Sequence, residues 1–166
     1  MKKFLVLLFL VISPAVYAGF PESVNGYDIE KIKKAFRLPC KDIGKDECIS
    51  RSLGLAACVW IFEINRGVEQ GAALRTSDSI FLALMSGNKL DVNNMFEPDG
   101  TIKLHIKREA VNRINFCRKA TIEAIPNMVK LPDGMELTQE RIEGLANTFP
   151  NMYLNAFEQI RKTKEK

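Results

Sequence analysis

Residues 46–66 carry apolar side chains around nearly the whole circumference of a helix. Cys48, Ser52, Leu55, Val59 and Phe62 recur at helical spacing. Ile49, Leu53, Ala56, Ala57, Trp60 and Ile61 widen the apolar surface well beyond one stripe. A helix that is apolar on most sides has to be enclosed by other elements. The segment therefore predicts a central helix, capped by Asp46, with the rest of the chain wrapped around it. Gly54 in its middle costs about 1 kcal/mol relative to Ala. Close approach of another helix would account for it. The helix is expected to end at Gly67 or to run on weakly to Gly71.

The other segments supply the wrapping. Asp28 is placed to cap a helix to about Leu38, with Ile29, Ile32 and Phe36 on one face and Pro39 as the stop. A further helix is expected from Thr76–Asp78 to Ser86, closed by Gly87 in a left-handed cap. Residues 87–101 have no regular pattern and end in the turn Pro98-Asp99-Gly100. Ile102, Leu104 and Ile106 alternate with polar residues, which allows a short strand. A helix from about Leu104 to Ile125 fits better, because Ile106, Ala110, Ile114, Cys117, Thr121 and Ala124 keep one face until Pro126. After a second turn, Pro132-Asp133-Gly134, Thr138 is placed to cap a last helix. Its apolar set is Ile142, Leu145, Phe149, Met152, Ala156 and Ile160, with Ala146, Tyr153 and Phe157 alongside. The period crosses Pro150, which predicts a kinked helix or two joined helices. The sum is an all-α, compact bundle of five or six helices.

The start of the chain sets the chemistry of its cysteines. Met1-Lys2-Lys3 is basic, Phe4–Ile12 is a continuous apolar run, and Val16-Tyr17-Ala18 offers small residues before Gly19. This is the layout of a secretory signal cleaved after Ala18. The run is nine residues long, whereas a membrane-spanning helix needs roughly 20. The expected organisation is a signal at 1–18 and one helical domain at 19–166, delivered to the periplasm or secreted, with no membrane attachment after cleavage. Residues 19–166 hold 22 basic against 20 acidic side chains, a net of +2. That balance gives no case for nucleic acid. The cationic stretch Arg161–Lys166 is accounted for by the negative end of a helix dipole.

Four cysteines in an exported chain imply two disulfides among Cys40, Cys48, Cys58 and Cys117. Cys48 and Cys58 stand ten residues apart on one predicted helix, about 15 Å along its axis. A disulfide needs Cα atoms within roughly 7 Å, so that pair is excluded. Of the two remaining schemes, Cys40–Cys48 with Cys58–Cys117 is preferred. Cys40 lies in the turn before the helix that begins near Cys48, and Cys58 and Cys117 fall on inward faces of long helices.

Catalytic patterns are missing. His105 is the single histidine and sits between lysines on a polar face, as surface histidines do. Glu63 is placed to face solvent or pair with Arg66, three residues on. The spacing of Asp91, Asn93, Glu97 and Asp99 fails the calcium-loop pattern. Zinc, haem and dithiol motifs and phosphate-binding glycine loops do not occur. No cofactor and no enzymatic activity are expected. A secreted enzyme using acids alone would need a paired-carboxylate cleft.

Two stretches carry a family likeness. They are Cys58-Val59-Trp60-Ile61-Phe62-Glu63-Ile64-Asn65-Arg66-Gly67-Val68 and Leu131-Pro132-Asp133-Gly134-Met135-Glu136-Leu137-Thr138-Gln139-Glu140-Arg141-Ile142. The first resembles the Cys-led apolar helix, and the second the Pro-x-Gly turn and helix start, of the Rap/Tai amidase-immunity proteins of bacterial type VI secretion loci. The likeness covers about twenty-three residues. The family places a cysteine directly before the turn, whereas Cys117 lies fifteen residues ahead of Pro132. The stretch Leu74–Arg113 has no counterpart. The resemblance implies an all-helical periplasmic protein, stabilised by disulfides, that occludes a toxin's active site. The expected contact surface is the loop Asn88–Glu97, where amide and apolar side chains mix: Asn88, Lys89, Asp91, Asn93, Asn94 and Phe96. The alternative is a small-ligand carrier or envelope stress chaperone with a cavity of several hundred Å³. Homodimerisation stays open.

Overall fold

The computed structural model describes residues 23–24, 27–28, 34, 36, 38 and 40–164. The predicted signal at 1–18 lies outside these residues, as does most of the helix expected from Asp28 to Leu38. Asp28 pairs with Ser23 in a two-residue antiparallel ladder, β1 (Ser23–Val24) with β2 (Tyr27–Asp28). Lys34 is helical.

The fold is helical. Helix α1 (Lys45–Asn65) is its axis. Every residue from Cys48 to Phe62 is buried, as the all-round apolar pattern requires. Helices α2 (Gln70–Gly87), α3 (Leu104–Ile114) and α4 (Arg118–Met128) pack around it. Helix α5 (Gln139–Lys164) lies across α3 and α4. A 3-10 turn at Asn115–Cys117 joins α3 to α4, so the two form one interrupted element. The structure thus has four long helical elements among the described residues. No helix there is long and apolar enough to cross a membrane.

Local chemistry sets the ends of α1. Its N-cap is Gly44, in extended conformation, and not Asp46. Asp46 and Glu47 occupy the first turn, where carboxylates complement the helix dipole. At the other end Gly67 takes a positive φ of 82°. The Gly67 N–H donates to the Ile64 carbonyl at 2.9 Å and the Val68 N–H to the Glu63 carbonyl at 3.0 Å. This paired pattern closes the helix firmly at Gly67.

Helix α2 begins about two turns before the expected start. Glu69 caps it, accepting from the N–H groups of Gly71 and Ala72. It also ends differently. The left-handed residue is Lys89, at φ 54°, and not Gly87. Lys89 N–H donates to Ser86 O, and Leu90 N–H to Met85 O, both at 2.9 Å. Helix α4 runs past Pro126 to Met128, and α5 passes through Pro150 as one helix. Thr138 does cap α5, accepting from Arg141 N–H at 3.3 Å.

The faces follow the sequence on α3 and α4: Ile106, Ala110, Ile114, Cys117, Thr121 and Ala124 are all buried. On α5 the buried face is rotated. Ala146, Phe149, Tyr153, Leu154 and Phe157 are buried, while Met152 is 51 % exposed. Aromatic packing selects this face. Trp60 lies 5.4 Å from Phe149 and 5.5 Å from Tyr153 between ring centres, and Phe81 meets Phe157 edge-on at 5.0 Å. Such pairs stabilise by about 0.5–1.5 kcal/mol beyond area burial.

Two disulfides clasp the core in the preferred pairing. Cys40 joins Cys48 and Cys58 joins Cys117, with Cα separations of 5.6 and 5.7 Å. At Gly54 the predicted close approach is present. A Cβ built there would stand 2.4 Å from Arg113 Cβ and 2.7 Å from the Phe36 ring.

Candidate functional site

The segment between α2 and α3 is a built structure. Asp91 accepts from Asn93 N–H at 2.9 Å and so starts a 3-10 turn, Val92–Met95. Met95 at its end is fully buried in the core. Phe96 then bridges Ile102 in antiparallel fashion, and Glu97 N–H donates to Thr101 O at 2.8 Å. Pro98-Asp99-Gly100 turns the chain, as expected, with Gly100 at φ 78°. Asp99 takes hydrogen bonds from the hydroxyl and the N–H of Thr101. The hydroxyl bond, then the N–H bond, hold its carboxyl below the usual value. Ile102 is buried and returns the chain to the core.

The expected contact residues divide into two groups. Asn88 is structural: its Oδ1 accepts from Cys40 N–H at 3.0 Å and its Nδ2 donates to Leu84 O at 2.8 Å. It ties the end of α2 to the first disulfide. Phe96 is half-buried and packs on the core. Lys89, Asp91, Asn93 and Asn94 are exposed, although Asp91 also serves as the cap just described. An open concavity of about 360 Å³ lies beside them, lined by Asn93, Phe96, Glu97, Pro98, Gly100, Arg161 and Lys162. The stem of Lys162 approaches Gly100 so closely that a Cβ there would meet its Cε at 3.0 Å.

Helix α5 supplies the residues that sequence reasoning did not single out. Glu158, 6 % exposed, accepts from the Ile102 N–H at 3.0 Å and from Lys107 Nζ at 3.2 Å. Lys107 also donates to Asn155 Oδ1 at 2.9 Å. One turn on, Arg161 pairs with the buried Asp78 and stacks over Phe157 at 5.0 Å. The apolar period did not mark Glu158, because the face read from it ran through Met152 and Ala156; the buried face passes through Leu154 and Glu158, and a carboxylate there needs a partner.

Elsewhere polar groups serve the fold. His105 bonds Asp46 at 2.6 Å on the surface, and Glu63 pairs with Arg66 at 3.1 Å. All four cysteines are in disulfides. Tyr153, wholly buried, meets the Ser77 hydroxyl at 2.8 Å. Ser77 Oγ donates to Ala56 O at 2.7 Å, so the Tyr153 hydroxyl is the donor to Ser77. Burial raises the Tyr153 phenol well above its usual value, against the lowering effect of that bond. A second, wider depression of about 750 Å³ borders the turn before α5, lined by Gly134, Met135, Glu136, Thr138, Glu140 and Arg141. No family model, curated protein or solved structure matches the chain.

Proposed function

We propose that this chain is an exported helical binding protein without catalytic activity, of the immunity or inhibitor kind. It occludes a partner toxin or enzyme with the loop Asn88–Glu97. The observation that carries this reading is the construction of the loop. Its base is fixed by Asn88, Met95 and the Phe96–Ile102 bridge, while Lys89, Asn93, Asn94 and Glu97 face outward. A surface held in shape before contact loses less conformational freedom on binding. Two disulfides suit an oxidising compartment, the periplasm or the cell exterior. The domain is then residues 19–166 after removal of a signal, a bundle of five or six helices.

A carrier or envelope chaperone would need an enclosed apolar chamber. The wide apolar surfaces of α1 and α5 instead meet each other through Trp60, Phe149 and Tyr153. Both concavities described above are open and rimmed by charged or amide side chains. This favours the binding-protein reading.

The test is titration with this chain of any peptidoglycan amidase or other toxin found to be encoded beside its gene, with substrate hydrolysis as readout. The expected result is stoichiometric inhibition. Full activity at a large molar excess of this chain, with no complex on gel filtration, would refute the reading.

A further inference from the structure

The buried carboxylate of Glu158 has a place in the fold that packing alone does not require. It sits on α5, 56 residues along the chain from Ile102, and accepts that residue's N–H in a buried hydrogen bond. Ile102 is the residue where the loop re-enters the core, directly across from Phe96. Two residues before the bridge, Gly100 rests on Lys162 of the same helix. Lys107 closes the group, donating both to Glu158 and to Asn155. Asn155, Glu158 and Lys162 recur at three- and four-residue steps, so one stripe of α5 faces the loop and α3.

A buried carboxylate is costly unless paired and hydrogen-bonded. Glu158 has both, and its hydrogen bond goes to the backbone of the loop. An apolar side chain would fill the same space without holding the Phe96–Ile102 bridge. We infer that Glu158, oriented by Lys107, is the positioning residue that sets the height of the loop 88–101 over α5. It thereby governs partner affinity without touching the partner. The second half of this inference rests on the reading of the loop as the partner surface.

The experiment compares amide hydrogen exchange in the full oxidised chain for Glu158→Ala, Glu158→Gln and Lys107→Met. In Glu158→Ala the Ile102 and Glu97 amides should exchange about tenfold faster, while the α1 amides between Leu55 and Ile61 stay close to wild type. Glu158→Gln keeps a carbonyl acceptor and should restore most of the Ile102 protection. Lys107→Met should fall between the two. Equal acceleration of loop and α1 amides would overturn the inference, since Glu158 would then be a general stabiliser. So would unchanged Ile102 exchange in Glu158→Ala, or a Gln variant as fast as the Ala variant. Inhibition of the neighbouring toxin is measured in parallel. A loosened loop with unaltered inhibition would separate loop positioning, which would stand, from the loop's role in binding, which would fall.

Discussion

Replacing Gly54 with Ala tests the helix crossing at the centre of the fold. In an exposed helix the change would stabilise by about 1 kcal/mol, because glycine pays more backbone entropy. Here the new methyl would stand 2.4 Å from Arg113 Cβ and 2.7 Å from the Phe36 ring. Arg113 Cβ is bonded directly to the backbone, so no rotamer change moves it away. Helix α3 must retreat, and the residues packed on α1 retreat with it. Overpacking a dense core costs about 1–3 kcal/mol, and a clash with a Cβ fixed to the backbone, beside a second with the buried Phe36 ring, puts this case at the upper end. The net expectation is a loss of about 2 kcal/mol, or a Tm lower by roughly 4–8 °C for a domain of this size. Gly144 is the matched control. It lies in α5 with nothing within 4 Å of an added Cβ, so Gly144→Ala should gain up to about 1 kcal/mol. Differential scanning calorimetry of both oxidised variants decides it. A Gly54→Ala variant as stable as wild type, or two variants shifted in the same direction, would refute the crossing.

Three further outcomes follow from the same geometry. Removing Cys58–Cys117 by double substitution to Ala should cost about 4 kcal/mol, since it frees a 59-residue separation, whereas removing Cys40–Cys48 should cost less because its loop is short; urea midpoints measure both. Lys89→Gly should raise stability by about 1 kcal/mol, because a side chain at φ 54° is strained and glycine is not; an unchanged urea midpoint would contradict the left-handed cap. Tyr153 keeps its proton in the folded state to a higher pH than in the unfolded chain, through burial. Its stabilising contribution is therefore complete below pH 10, the ordinary phenol value, and is lost as pH rises beyond it. Tyr153→Phe should flatten this alkaline decline while costing about 1 kcal/mol at neutral pH for the lost hydrogen bond.

The parts of the fold that depend on local pattern could be read from the chain. The all-round apolar surface of α1 made it the axis, and ten residues of helix between Cys48 and Cys58 excluded one disulfide pairing. Gly54 announced its crossing because an otherwise unfavourable residue needed a reason. The rest was set by tertiary contacts. Glu69 is a poor cap by residue type, so the start of α2 was hidden behind Gly71 and Arg75. Gly87 offered the favoured left-handed residue, yet the chain placed that conformation at Lys89, where Leu90 N–H could reach Met85 O. Pro126 read as a stop and Pro150 as a kink or a join, but each helix runs through its proline. On α5 the apolar period allowed two neighbouring faces, and the rings of Trp60 and Phe81 chose the one with Tyr153 and Phe157 over the one with Met152. Within the loop, residue types marked Asn88 as a contact residue, but its hydrogen bonds to Cys40 and Leu84 could not be read from them. Glu158 and Lys107 belong to an arrangement that only the folded chain brings together.

Hydroxyl-radical footprinting of the oxidised chain, free and bound to the partner toxin proposed for it, tests the central claim most directly. The loop reading predicts that protection gathers on Lys89, Asn93, Asn94 and Phe96, with α5 near Gly144 and the turn at Gly134 unchanged. Protection centred on the turn before α5, with the residues between Asn88 and Glu97 as reactive as in the free chain, would contradict it.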